Sequence, residues 1–223
     1  MPAFIVAILI ALLPTLATAQ TPDLDRLPTR QNFDEQVELS LGTSLVNFED
    51  RSFSGGGLGF DAHGRLILND RLTANASAHS SYDIGGGLIE AFVNGFFNTL
   101  FGLDDGSGRT DRDYDLMTVT ADYQLNAPTS RTAWLAVAGV ARGDAIGGPT
   151  RDTFQNDLVA GAGFDSRVSD GAEIRGRLRY IGIEDIGPEL TLTAMTTGAF
   201  ILRLDFSYTE NVQLLGAGLG LRF

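Results

Sequence analysis

The sequence contains no cysteine and no lysine, so all 16 of its basic residues are arginine. The lack of cysteine excludes a disulfide scaffold and any thiolate metal site, and two histidines alone do not make a zinc centre. The net charge of −12 argues against a nucleic-acid partner, because both molecules would be negative. No cofactor motif is present either: the glycine runs at 55–57 and 85–87 do not lead from a strand into a helix, as a phosphate-binding loop requires.

Long apolar runs are missing after the first 16 residues. The run Phe4–Leu16 has about 13 residues, whereas a membrane-spanning helix needs about 20. Ala17-Thr18-Ala19 follows it, which is the small-x-small pattern of a cleavage site. We therefore expect residues 1–19 to be a signal peptide that is cleaved after Ala19. The segment before the run has no basic side chain, so an N-terminal membrane anchor is the alternative.

The rest of the chain divides into a short polar segment and one domain. Residues 20–35 are polar and contain Pro22 and Pro28, and we interpret them as a periplasmic lead-in. Residues 36–223 form the domain. A mean hydropathy of +0.05 with 43% hydrophobic residues is too apolar for a disordered chain and too polar for a helical membrane protein.

Apolar and polar residues alternate from Gln36 to the end of the sequence. In Glu173–Ile183, for example, three arginines occupy alternate positions while Ile174, Leu178 and Tyr180 fall on the other face. Such alternation predicts β-strands with one apolar and one polar face. Ten strands are predicted, at 36–47, 57–68, 71–83, 114–126, 132–142, 156–168, 172–183, 189–196, 199–208 and 212–223. Eight is the alternative, because the pair at 189–208 is weakly patterned.

The connections are of two lengths. Short turns are predicted at 69–70, 127–130, 169–171 and 209–211, and long loops at 48–56, 84–113 and 143–155. Short turns on one rim and long loops on the other are typical of transmembrane barrels. The predicted strands of about 10 residues are also long enough to cross a bilayer at a tilt.

The two strand faces suggest what lies inside and outside such a barrel. Aromatic residues near strand ends are expected to form girdles at the membrane interfaces: Tyr82, Tyr114, Tyr123, Trp134, Tyr180, Phe206 and Tyr208. The polar faces carry charges of both signs, which predict an ion-pair network in a narrow lumen: Glu38, Asp61, Arg65, Asp122, Asp165, Arg167, Glu173, Arg175, Arg177, Arg179, Arg203, Asp205 and Arg222. The same charges also suit the solvated sheet of a soluble periplasmic β-protein.

The last five residues, Leu219-Gly220-Leu221-Arg222-Phe223, end on an aromatic residue preceded by alternating leucines. This pattern resembles the insertion signal of bacterial outer-membrane barrels. With the apolar N-terminal run and the repeated hairpins, Gln36 to Phe223 resembles the outer-membrane β-barrel family, including its small attachment-and-invasion type members. The resemblance implies an all-β, closed antiparallel transmembrane barrel of eight to ten strands in the Gram-negative outer membrane. Its partners would be outer-membrane lipid and the barrel-assembly machinery, which would recognise Leu219, Leu221 and Phe223.

Three segments are candidate sites. His79 and Ser81 share a strand face, and this spacing resembles that of lipid A deacylases; a hydrogen-bonded lumen histidine is the favoured interpretation. Asp104–Asp115 is rich in carboxylates, but it lacks the bidentate Glu of a calcium loop and is better interpreted as a solvated acidic loop. Leu88–Phe101 has apolar residues at helical spacing, which favours either a short amphipathic helix or a plain loop core.

These features favour a non-enzymatic, porin-like outer-membrane barrel with a structural or surface-interaction role. Its surface partner would meet the long loops, above all the loop at 84–113, because function usually resides on loops held by a rigid frame. The alternatives are a narrow pore, a lipid A-modifying barrel enzyme that uses His79 and Ser81, and a soluble periplasmic β-protein.

Overall fold

A computed structural model describes residues 37–50, 53–83, 114–128, 130–143, 155–183 and 186–223. The expected signal peptide, the lead-in at 20–35 and the loop at 84–113 lie outside these residues. The described chain forms ten strands: β1 (Val37–Asp50), β2 (Phe53–Ile67), β3 (Leu72–Asp83), β4 (Tyr114–Gln124), β5 (Thr132–Gly143), β6 (Gln155–Ser169), β7 (Ala172–Ile181), β8 (Gly187–Thr196), β9 (Phe200–Tyr208) and β10 (Val212–Arg222).

The strands close into a single antiparallel barrel. Each strand pairs with its neighbours in sequence, and β1 pairs with both β2 and β10, so the sheet has no free edge. This confirms the predicted closed barrel and the preferred count of ten. The weakly patterned pair is present as β8 and β9, which pair with each other over Leu190–Met195.

The two rims of the barrel differ in their connections. The lower rim is where β1 begins and β10 ends, and it holds the turns at 68–71, 125–131, 170–171 and 197–199. The upper rim is the opposite one, and the predicted turn at 209–211 lies there, so the expectation that the short turns share one rim is wrong for that turn. The predicted loop at 48–56 is also wrong for most of its length, because β1 continues to Asp50 and β2 begins at Phe53.

The side chains of successive residues point alternately out of and into the barrel. Leu158 is 70% exposed while its neighbour Val159 is 2% exposed, and Tyr123 is 48% exposed while Asp122 is 3% exposed. The exterior therefore carries large apolar side chains and the interior carries charged ones. Phe60 is an exception, since it falls on the outward face and is nevertheless buried. Among the described residues, no helix is both long enough and apolar enough to cross a membrane.

Aromatic side chains lie outside the barrel near both of its rims. Tyr123 and Trp134 are exposed near the lower rim, and Tyr180 and Tyr208 are exposed near the upper rim. Tyr114 is different: it is 1% exposed and points into the barrel, so its predicted place in an outer girdle is wrong. Its position follows from the alternation of β4, in which it shares a face with the inward-pointing Asp122.

Candidate functional site: the barrel interior

The lower half of the interior is filled by a connected set of ion pairs. Arg175 donates two hydrogen bonds of 2.8 Å to the two carboxylate oxygens of Glu38 and a third of 2.8 Å to Glu173. Arg222 Nη2 lies 2.8 Å from Glu38 Oε1, one of the two oxygens that Arg175 contacts. Glu38 is on β1 and Arg175 is on β7, so this pair crosses the lumen.

The set continues through two more arginines. Arg65 donates to Asp165 at 2.8 Å and also approaches Glu173, while Arg177 bridges Asp165 and Asp122 at 2.7 Å each. Arg65 on β2 and Asp165 on β6 again face each other across the barrel. We call this set the ionic layer; among the described residues it comprises four arginines and four carboxylates, so their formal charges cancel: Arg65, Arg175, Arg177, Arg222, Glu38, Asp122, Asp165 and Glu173.

Two smaller groups lie above the ionic layer. Arg203 is 2% exposed as a side chain and pairs with Asp61 and, at 2.5 Å, with Asp205. The Thr193 hydroxyl donates to Asp205 at 2.7 Å. Arg179 pairs with Glu189, which also accepts a hydrogen bond of 3.1 Å from the Ser207 hydroxyl.

The structure therefore brings together, on inward faces, the charged residues that the sequence singled out for the lumen. Arg167 lies at the lower end of β6, opposite Glu173 in the register, where a bulge follows. Glu189 and His63 belong to the same interior but were missed. Glu189 is the one charged residue of β8, whose alternation is weak. His63 lies on the same face as Asp61, with its Nε2 3.2 Å from the Asp61 carboxylate.

The upper half of the interior is closed by an apolar cluster, which we call the apolar plug. Ile181, Ile183 and Ile186, which are 0–2% exposed, come from the end of β7 and the connection to β8. This connection turns sharply at Gly187, whose φ of 59° lies in the left-handed region that favours glycine. The described members of the plug are Val46, Tyr114, Leu116, Ala141, Val159, Ile181, Ile183, Ile186 and Val212.

Alternation alone does not predict the plug, because it distinguishes the two faces of a strand but not a change from polar to apolar residues along one face. The inward face of a strand changes character with height instead: β7 presents arginines at 175, 177 and 179 and then Ile181. The sequence signal is the group of three isoleucines at 181, 183 and 186, at and just after the end of β7. Burying each of them stabilises the barrel by about 1.5–3 kcal/mol.

Between the plug and the ionic layer lies a cavity of about 190 Å³, which we call the chamber. Its upper wall includes Tyr114 and Leu116, and its lower wall includes Arg175. Its sides are formed by hydroxyl, amide and imidazole groups, among them those of Ser44, Asn75, Ser77, His79, Thr118 and Thr191. Both histidines of the protein, His63 and His79, line it.

The His79 and Ser81 pair has the surroundings of a structural site. The Ser81 side chain is fully buried, and its hydroxyl donates to the Tyr114 carbonyl at 3.3 Å. The His79 ring packs against Tyr114 with the ring centres 5.5 Å apart. Both side chains point into the barrel, away from its apolar exterior. This geometry provides a nucleophile with no access to a lipid substrate, which favours the interpretation of His79 as an interior histidine.

The other candidate segments fall mainly outside the described residues. Leu88–Phe101 lies wholly outside them, as does Asp104–Asp115 up to residue 113. Of the latter segment, Asp115 accepts a hydrogen bond of 2.5 Å from Ser80 on the neighbouring strand. Within the described ranges, no group of three His, Asp or Glu side chains is placed to hold a metal ion. The predicted assembly signal has its three side chains on the outer surface: Leu219 67%, Leu221 48% and Phe223 59% exposed.

No protein-family model matches the chain, and no curated protein matches it in sequence. Solved structures that are similar to it include the outer membrane protein Ail of Yersinia pestis in a phospholipid nanodisc, with 17% identity, a TM-score of 0.40, and coverage of 85% of this chain and 99% of Ail. Neisserial surface protein A has 13% sequence identity and a TM-score of 0.36, and the match covers 84% of this chain and 97% of that protein. The translocator domain of the autotransporter NalP from Neisseria meningitidis has 13% sequence identity and a TM-score of 0.40, and the match covers 100% of this chain and 96% of that domain. Superpositions of this quality identify neither a family nor a function, so the architecture rests on the closed strand pairing itself.

Proposed function

We propose that this protein is a bacterial outer-membrane β-barrel with a closed lumen, which serves as a rigid, non-enzymatic frame for the loops of its upper rim. The observation that carries the proposal is the inversion of the barrel, with apolar side chains outside and paired charges inside. A soluble barrel of this size would solvate its outer face and pack its inner face with apolar residues. Here Leu178 and Leu158 are 61% and 70% exposed, a state that hydrocarbon stabilises and water does not.

The exterior also has the dimensions of a membrane barrel. The strands have 9 to 15 residues, and 9 to 11 suffice to cross a bilayer at a tilt. Among the outward side chains that the structure describes in the strands, Asp115 and Arg142 near the upper rim are the charged ones. Exposed Tyr and Trp side chains bound this uncharged band at both ends, where amphipathic rings favour the lipid headgroups.

The interior disfavours a pore. The ionic layer spans the lumen from β1 to β7 and from β2 to β6, and the apolar plug closes the upper half. A solute would have to break several buried ion pairs and displace three isoleucines. We expect planar bilayers that contain the folded protein to show no conductance steps. Steady steps from the wild-type protein would favour the narrow pore instead.

Shortening the loops tests whether the strands form the barrel without them and whether the loops carry the surface interaction. Ser81 and Tyr114 are partners in the register, as are Gly143 and Gln155, so short turns can replace residues 84–113 and 144–154 without moving a strand. We expect both variants to reach the outer membrane as heat-modifiable barrels, and the 84–113 variant to lose adhesion of the cells to a surface partner. Failure of either variant to form a barrel would contradict the proposed role of the strands as a self-sufficient frame.

A further inference from the structure

The outer wall of the barrel has one buried patch near its upper rim, formed by Phe60 on β2 and Ser80 on β3. The two residues are partners in the register, and they are only 4% and 6% exposed although both side chains point outward. Contacts within the wall do not bury an outward ring to this extent: Phe164 lies against Gly176 and beside Trp134, yet it stays partly exposed. The cover of Phe60 therefore comes from a part of the chain that does not belong to the wall.

The borders of the patch show the direction from which it is covered. On the β1 side, Thr43 is exposed and Leu45 is 61% exposed, although both are outward neighbours of Phe60. Lower on the wall, Ala76 of β3 is exposed and Met117 of β4 is 56% exposed. The cover is therefore confined to the upper end of β3 and the adjacent part of β2.

Most of the other connections are poorly placed to provide this cover. The lead-in at 20–35 joins β1 at the lower rim, and Leu39 on the wall above that end is 51% exposed. Residues 51–52 join two strands that stay paired to their ends, so they cannot fold back over the wall. The loop that contains residues 144–154 joins β5 to β6, and Val140, between it and the patch, is 54% exposed.

We propose that the apolar run Leu88–Phe101 packs against the patch of Phe60 and Ser80 and thereby fixes the loop at 84–113 to the outside of the barrel wall. This loop leaves β3 three residues after Ser80 and returns at the start of β4, so both of its ends lie beside the patch. The run contains four phenylalanines, and a second aromatic ring is a favourable neighbour for Phe60. The acidic residues 104–113 of the same loop are a poorer cover, because their carboxylates would have to leave water. The inference concerns the wall itself, so it depends neither on the membrane location nor on a surface partner.

Photo-cross-linking from position 60 identifies the covering segment in the full chain. Phe60 is replaced by p-benzoylphenylalanine, an aromatic residue that forms a covalent adduct with whatever it touches when it is irradiated. After irradiation of the barrel folded in lipid vesicles, we expect mass spectrometry to find the adduct on residues 88–101. The same probe at Leu45, which is close by on the outer wall but exposed, should give no adduct with that run. A probe at position 60 that does not label residues 88–101, whatever else it labels, would overturn the proposal.

Shortening the loop tests the same contact from the other side. A spin label on Phe60→Cys is the only label in the chain, and oxygen reaches exposed labels from lipid and from water alike. We expect a low collision rate with oxygen in the full chain, and a rise to about the rate at Leu45→Cys when a short turn replaces residues 84–113. Replacing residues 144–154 is the matched control and should leave the rate at position 60 unchanged. A rate that stays low without residues 84–113 would overturn the proposal; the cross-link, which keeps the loop intact, decides it for a shortened chain that does not fold.

Discussion

The lower half of the interior holds the ionic layer and the upper half holds the apolar plug, and five strands, β1, β4, β6, β7 and β10, contribute residues to both. The ionic layer tolerates few substitutions or register shifts, because a buried guanidinium is stable only when its carboxylate partners are in place. The plug is tolerant, because apolar packing accepts changes of shape as long as volume is kept. The lower half therefore specifies the register of the strands, while the upper half contributes closure.

The largest effect is expected from removing the arginine that is least exposed. Arg203→Met leaves the Asp61 and Asp205 carboxylates in the interior without their arginine partner, and we expect the free energy of unfolding to fall by about 3–5 kcal/mol. Denaturant titration of the barrel folded in vesicles measures it. The double variant Arg203→Met/Asp61→Asn removes one of the stranded charges and should recover part of the loss. A single variant as stable as wild type would mean that these ion pairs do not specify the fold.

A somewhat smaller effect is expected in the plug. Ile181→Ala removes a fully buried side chain and leaves a cavity, which should lower the free energy of unfolding by about 3 kcal/mol. Ile181→Val should lower it by only about 1 kcal/mol, since most of the volume is kept. Leu178→Ala, three residues earlier and on the outward face, is the control for loss of apolar volume outside the barrel. Equal costs for Ile181→Val and Ile181→Ala would contradict packing as the basis of the plug.

The coupling energy between side chains on opposite sides of the lumen is expected to be smaller than the losses of stability above. A double-mutant cycle on Glu38→Gln and Arg175→Met isolates the interaction that joins β1 to β7, and we expect a coupling energy of about 1–3 kcal/mol. The same cycle on Leu178 and Leu158, two exposed apolar residues on the outer surface, provides the baseline for side chains without such a link. Additive effects at Glu38 and Arg175 would show that the crossing ion pair is incidental to stability.

The smallest effect is expected at the lower rim. Arg131 is exposed and donates to the carbonyls of Arg167 and Val168 at 2.8 and 2.6 Å. Arg131→Ala should change the free energy of unfolding by less than about 1 kcal/mol, because water replaces its hydrogen bonds. A loss as large as that of Arg203→Met would remove the distinction between interior and rim arginines.

The strands and their two faces were predictable from the sequence, because the alternation of apolar and polar residues is visible within each segment by itself. Arg175, Arg177 and Arg179 had to share a face, and a slip of one residue would have turned them outward along with Asp122 and Glu38. What lies at a given height inside the barrel was not predictable, because it depends on the relative stagger of strands that are distant in sequence. Leu116 and Ile183, for example, both pack beside Gly143 in the apolar plug, although they lie on distant parts of the sequence. Tyr114 shows the same limit: its position near a strand end was evident, but the side it faces followed only from the register of β4.

Site-directed spin labelling on β4 shows whether apolar side chains face outward and polar ones inward. The chain has no cysteine, so a single introduced cysteine carries the only label. Met117, Val119 and Ala121 point outward, whereas Thr118 and Thr120 point inward and are 3% and 6% exposed. In lipid vesicles, oxygen concentrates in the hydrocarbon, so its collision rate with the label reports contact with lipid. We expect high collision rates with oxygen at 117, 119 and 121 and low rates at 118 and 120. The opposite alternation, or uniformly low rates with free access for a water-soluble relaxant at 117, 119 and 121, would contradict the inverted barrel.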